Sequence, residues 1–234
     1  MATHSLSEKA YHHIRERVFS GELAPGSQLV NRTLAAEVGT SFIPVREAIS
    51  RLASEGIVEQ VAGAGAFVKQ FDRQEISEIY DVRELFEPFA AAEAARLINQ
   101  HELSELEAIL SDWEALGAKI SKRKRGAVDA DLDRWLELNE RFHEIVIAAS
   151  RNRILSKFTS GVQVLSLCFA AQRGSPKLLS DELVQRTLTS HRRLYRAIET
   201  HQSEDASAIV REQLEDGRRA ILRFYDENRS TPSQ

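Results

Sequence analysis

The chain has 234 residues, 42% hydrophobic and 28% charged, which is enough for two modest cores and too polar for a membrane protein. Its single cysteine, Cys168, cannot close an internal disulfide or supply a C-x-x-C metal or redox motif. No run of about 18 apolar residues and no signal-peptide core occurs, so a cytoplasmic protein is expected. The formal net charge of -4 argues against non-specific binding to polyanions, and residues 1 to 71 carry seven basic and seven acidic side chains, so any affinity for nucleic acid must come from local placement.

In chain order, Ala10, Ile14, Val18 and Phe19 recur at helical spacing and predict a first helix over Ser7 to Ser20, closed by Gly21. Pro25-Gly26 marks a turn. Leu34, Ala35 and Val38 predict a short second helix stopped by Gly39. A third follows Thr40 and Ser41, with Val45, Ile49 and Leu52 on one face, and ends at Gly56. The run IVEQVAGAGAFV, split by Gly63 and Gly65, reads as a β-hairpin. Three helices and a hairpin in so short a stretch predict a winged helix-turn-helix over residues 1–71.

From residue 72 to 234 every long segment has helical period. Helices are expected near Arg73–Asn99, Glu102–Lys122, Asp131–Ser150, Ile154–Gln172, Ser180–His201 and Ser203–Asn228, forming an all-α antiparallel bundle. The fold class is therefore mainly α. The basic run at Lys122–Gly126 reads as a solvated helix end and loop rather than a nucleic-acid contact.

In a helix-turn-helix the second helix of the motif enters the major groove with its N-terminal residues aimed at base edges. The segment TSFIPVREAISRL suits that role. Thr40 and Ser41 are placed to cap the third helix, Pro44 suits its first turn, and Arg46 projects from that turn as the candidate reader of guanine, since a guanidinium can bond O6 and N7 together. Arg32, at the start of the second helix, suits a phosphate. Singly, each has an ordinary alternative: Arg46 paired with Glu47 or Glu55, Arg32 as plain surface, Gly63 and Gly65 as turn residues.

The stretch GELAPGSQLVNRTLAAEVGTSFIPVREAISRLASEGIVEQVAGAGAFV resembles the GntR-type winged helix in its PG turn, its PVREAI recognition helix and its G-x-G-x-F-V wing. The resemblance covers residues 7 to 70 and implies that Arg32, Ser41, Arg46 and Gly63 fall on positions used at DNA. Phe42 stands where many members place an arginine, and Ala62 where the wing tip is often basic or polar.

The helical half carries polar residues on apolar stripes. Asn139 and His143 lie four apart among Leu132, Trp135, Leu136, Phe142 and Val146, so they share the inward face. His191 sits on the stripe of Val184, Leu188, Leu194 and Ile198, and Gln213 interrupts that of Ala206, Ile209, Val210, Gly217 and Ile221. Arg83 and Glu87 follow Ile76, Ile79 and Tyr80 onto another inward face. Buried polar groups cost about 1 to 3 kcal/mol each when unpartnered, so these are expected to share a polar cavity suited to a small carboxylate, or to a metal that presents one.

Residues 73 to 228 resemble the FCD domain, the effector module of the FadR branch of the same family, through YDVRELFEPFAAAEAARL, NERFHEIVIAASRN, SHRRLYRAIE and AIVREQLEDG. In metal-binding members the ligands would fall at Asn139, His143, His191 and Gln213, so here neutral amides replace two of four. The resemblance thus implies a metal-free effector pocket, or a divalent ion such as zinc or nickel held weakly by His143 and His191. It also implies that Arg83 faces the pocket, where it binds an effector carboxylate or pairs with Glu87. The expected protein is a homodimeric regulator, a repressor, that binds double-stranded operator DNA under control of a small carboxylate. A constitutive DNA-binding dimer with a structural helical half, and a metal-dependent helical hydrolase, are the alternatives.

Overall fold

A computed structural model describes residues 5–123, 127–155 and 179–229. They fall into two compact units that meet in sequence between Phe71 and Asp72. Each is described by itself.

The first unit contains α1 (Leu6–Phe19), α2 (Asn31–Val38), α3 (Phe42–Ser54), β1 (Val58–Val61) and β2 (Gly65–Val68). Ala10, Ile14 and Val18 of α1 meet Val45, Ile49 and Leu52 of α3, and Leu34, Ile57 and Val68 complete the core. Each such aliphatic side chain contributes about 1.5–3 kcal/mol by leaving water. Tyr11 ties α1 to the far end of α3, because its hydroxyl donates to Glu55 at 2.8 Å while Arg51 lies over its ring. Two Gly residues end α2 and α3 cleanly: Gly39 and Gly56 both take the left-handed backbone that side chains resist.

The strands pair antiparallel, Val58 opposite Val68 and Val61 opposite Gly65, leaving a three-residue turn at its tip. At that tip Gly63 has φ of 76°, and a β-carbon there would meet nothing within 4 Å. Its conformation, rather than lack of room, therefore calls for glycine. The segment before α2 adds to the sheet: Leu29 N donates to the Ala66 carbonyl at 2.8 Å, Gln28 bridges to Phe67, and the Gln28 amide donates to the Ala64 carbonyl at 2.9 Å. The PG turn thus belongs to the wing as much as to the helices.

The second unit contains α4 (Arg73–Leu97), α5 (Gln100–Ser121), α6 (Asp129–Ala149), α7 (Asp181–Glu199) and α8 (Ser203–Arg229). The boundaries follow local chemistry. Asp72 with Glu75, and Asn99 with Glu102, form capping boxes at α4 and α5, and the Ser180 hydroxyl accepts from Leu183 N at α7. At α6 the Asp131 carboxylate accepts from Val128 N and pairs with Lys119 and Arg123, anchoring one end of the basic run. Helix α4 packs most extensively on α8, and α5 lies against both α6 and α7. Ala90, Ala91, Ala94 and Ala95 are buried along α4, and their small side chains let its neighbours approach. The helix expected over Ile154–Gln172 lies mostly outside the described residues, as does much of Lys122–Gly126. No described helix is long and apolar enough to cross a membrane.

Candidate DNA-reading face and effector pocket

The outward face of α3 carries Phe42, Ile43 and Arg46, while its opposite face is buried in the core. Arg46 and Arg32 are both exposed and have no ion pair among the described residues. The contrast with their neighbours is informative. Arg17 pairs with Glu22 and Glu37, Arg51 pairs with Glu8 and Glu55, and Arg15 lies over Phe19. Glu55, one of the two carboxylates open to Arg46 on sequence grounds, is engaged by Arg51 and Tyr11. Two guanidiniums are thus left facing solvent on a unit of balanced charge.

The expected cap at α3 is corrected by the geometry. Ser41 does occupy the N-cap position with extended backbone, but its side chain makes no capping bond, and the Thr40 hydroxyl is buried without a partner. Pro44 supplies the reason. It sits third in the helix, where a serine cap finds its usual donor, and proline has no N–H to give. Gly63 is exposed at the wing tip, where its turn is held by Gln28, a residue whose role no local sequence signal announces.

In the helical unit His143 of α6 and His191 of α7 come together, with their Nε2 atoms 3.1 Å apart. His191 Nδ1 lies 2.8 Å from the Thr187 carbonyl, so the proton of this imidazole resides on Nδ1 and its Nε2 accepts. His143 must then donate from Nε2, which leaves its Nδ1 as an acceptor. Around the pair stand Trp113, whose ring centre is 4.6 Å from that of His191, and Phe142 at 5.2 Å. These two aromatics were not singled out by sequence reasoning, although both lie on the apolar stripes of α5 and α6.

Arg83 is paired with Glu87 through Nε at 2.6 Å and Nη2 at 3.2 Å, both groups being largely buried. This is the second of the two arrangements open from sequence, and Tyr80 hydrogen-bonds the guanidinium as well. Tyr80 lies under the guanidinium, and Gly217 of α8 makes room for its hydroxyl, since a β-carbon there would stand 2.9 Å away. Gln213 donates from Nε2 to Ser190, the residue before His191, at 3.1 Å, while its Oε1 is buried and accepts from none of the described residues. Asn139 is half-buried one turn before His143. A buried acceptor without a donor costs about 1–3 kcal/mol, so Gln213 marks a place where a ligand group is wanted.

The donor set does not fit a tight metal centre. Two imidazoles face each other, no group of three or more His, Cys, Asp or Glu side chains among the described residues is arranged to hold an ion, and the amides of Asn139 and Gln213 are weak donors towards zinc-like metals.

Burial lowers both imidazoles to a pKa of about 3, helped at His143 by the Arg83 cation and at His191 by His143, with the Thr187 carbonyl opposing. In the unfolded chain each titrates near 6.5, so unfolding takes up protons below that pH. Their contribution to stability is complete above pH 6.5 and is lost as pH falls towards 3. Between pH 7.5 and 5.5 the pair should cost about 2–3 kcal/mol of folding free energy. Urea titrations across that range should show the drop in the wild type and a flatter profile in His143→Gln/His191→Gln. Parallel profiles would contradict the assignment of neutral, buried imidazoles.

A winged helix with unpaired arginines on its reading face, followed by a helical unit that encloses a polar cluster, defines a DNA-binding regulator with its own sensing domain. The chain belongs to the gntR family of bacterial regulatory proteins, whose pattern matches residues 6–68, and an FCD domain matches residues 78–216. It is 25% identical over 226 residues to the HTH-type transcriptional regulator LutR of Bacillus subtilis, spanning 89% of this chain and 98% of that protein. It is 31% identical over 145 residues to the gluconate operon transcriptional repressor of the same species, spanning 62% and 55%. The fold is that of E. coli McbR/YncC, with a TM-score of 0.77 at 23% identity over 94% of this chain and 99% of that one. The family is one of transcriptional regulators, and this chain is a transcription regulator with an FCD effector-binding domain.

Proposed function

We propose that the chain is a cytoplasmic homodimeric repressor, divided into a DNA-binding domain at residues 1–71 and an effector domain at 72–234, that releases its operator on binding a small hydroxylated carboxylate. At DNA, Arg46 reads a guanine, Phe42 lies beside it, and Arg32, Ser41 and the bare backbone at Gly63 engage the phosphates, while Thr40, whose hydroxyl is buried, supports the turn before α3. The effector lies among Arg83, Asn139, His143, His191 and Gln213, without a tightly held metal.

The observations that carry the effector reading are the buried Gln213 Oε1, which no described residue satisfies, on a side chain bonded to Ser190, and the imidazole pair of His143 and His191 in the same helical unit. Oε1 wants a donor, which a ligand hydroxyl supplies. A carboxylate would be drawn to the Arg83 cation, a charge-assisted contact. The name of the gluconate operon repressor points to the same chemistry, since gluconate is a small polyhydroxy carboxylate. Among hydroxylated carboxylates in a thermal-shift screen, at least one should raise the melting temperature of the wild type and fail to do so with His191→Ala, as linkage to the folded state requires. A stabilising ligand whose effect survives His191→Ala would place the pocket elsewhere.

The dimer rests on α4, where Val82, Leu85 and Phe89, at helical spacing, are 54%, 80% and 50% exposed. A helix face of that kind is costly to leave in water and suits a second copy across a two-fold axis. Leu85→Glu should convert a dimer to monomer in light scattering at micromolar concentration. A wild-type monomer would overturn the proposal.

A further inference from the structure

Two of the most exposed apolar side chains of the winged helix are adjacent: Phe42 at 54% and Ile43 at 70% exposure, both in the first turn of α3. They are not displaced core residues, because Val45, Ala48, Ile49 and Leu52 already fill the inward face of that helix. Phe42 lies four residues and Ile43 three residues before Arg46, so all three share one outward sector next to the unpaired guanidinium. An isolated exposed leucine on a surface needs no explanation, but a contiguous pair at the leading end of a recognition helix forms a small apolar surface with an assigned neighbour.

In the major groove only one natural base edge is apolar, the 5-methyl group of thymine. Cytosine offers only a bare C5–H at the same position, and the remaining positions at the groove floor present donors or acceptors. Phenyl and sec-butyl groups set against guanine O6 or adenine N6 would strand those atoms without water or partner, which penalises the wrong base as well as favouring the right one. We propose that Phe42 and Ile43 read thymine 5-methyl groups next to the guanine bound by Arg46, so that each operator half-site pairs a G contact with one or two adjacent T contacts. This inference rests on α3 being the recognition helix. It adds contacts that release no counterions, so they contribute specificity without salt dependence.

The test begins with an operator selected from random duplexes by the full-length wild-type protein. Thymines flanking the selected guanine are then replaced by 2′-deoxyuridine, which lacks only the methyl group. With both half-sites substituted, wild-type affinity should fall by about 3- to 30-fold. Phe42→Ala/Ile43→Ala should bind the thymine and uracil operators equally, with an unchanged slope of log K against log salt. Both positions are exposed, so the variant should melt with the wild type, and the uracil comparison on wild-type protein does not depend on it. If no thymine in the half-site senses the methyl, or if the alanine variant keeps the same sensitivity, the proposal is overturned. A Phe42-dependent kink with no methyl dependence, as from a side chain wedged between base steps, would also overturn it. Arg46→Ala separates the layers: its loss of binding alongside methyl-insensitive wild type would defeat only the thymine contact, whereas unchanged binding by Arg46→Ala would defeat the recognition-helix reading itself.

Discussion

Arg46→Ala should abolish specific operator binding while leaving the fold and the melting temperature unchanged. One bidentate contact to guanine contributes about 1–3 kcal/mol of discrimination, and a two-fold dimer loses two, so the specific affinity should fall on the order of thirty- to ten-thousand-fold. The side chain is exposed and has no ion pair among the described residues, so its removal strands no described carboxylate and opens no cavity. Arg32→Ala should behave differently. A lost phosphate contact weakens all sequences alike and makes the salt dependence shallower by about 0.9 per subunit. Gel-shift titrations of both variants at several salt concentrations separate the two roles. Equal loss on specific and random duplexes for Arg46→Ala would remove it from base readout.

The second large effect concerns the pocket. By the family resemblance, Asn139 and Gln213 stand where a carboxylate and an imidazole would complete a four-ligand site with His143 and His191, and the proposed pocket rests on that correspondence. Asn139→Asp with Gln213→His should therefore convert the pocket into a tight zinc site, because the geometry already brings the two imidazoles to 3.1 Å and carries the Gln213 side chain to the residue beside His191. At zinc a thousandfold above its dissociation constant, binding to the folded state contributes about 4 kcal/mol, which corresponds to a rise of about 10 °C in melting temperature for a chain of this size. Chelator should reverse the rise in the variant and leave the wild type nearly unaffected. A wild type that retains stoichiometric zinc through dialysis would show that two imidazoles and two amides suffice, and the metal-free pocket would be wrong.

The winged helix was legible in the sequence because its signals are local. Glycines close α2 and α3 within a residue of the expected ends, and Val45, Ile49 and Leu52 fill the core as their spacing requires. The Ser41 cap was misread for an equally local reason: the propensity of serine for the N-cap says nothing about the donor that Pro44 removes. Helical periodicity placed His143, His191 and Gln213 on inward faces, but periodicity fixes direction within one helix and not distance between helices. That two imidazoles 48 residues apart meet at hydrogen-bond range required both α6 and α7 to pack on α5. The same limit hid the contacts of Trp113 and Phe142 with His191, and that of Gln28 with a turn 36 residues away. Arg83 could be narrowed to two partners by sequence. The structure supplies the Glu87 pair and keeps one guanidinium nitrogen outside it.

Regulation by an effector requires coupling between the two domains, which fluorescence anisotropy with the selected operator measures directly. Operator affinity should be determined at fixed salt with and without a carboxylate that stabilises the wild type, and carboxylate affinity with and without operator. Coupling of the two sites predicts that saturating carboxylate weakens operator binding and that operator weakens carboxylate binding by the same factor, as reciprocity of linked equilibria demands. Both shifts should vanish in His191→Ala. Operator affinity that stays constant while the carboxylate saturates its pocket would contradict the account and leave the helical domain a structural support for a constitutive DNA-binding protein.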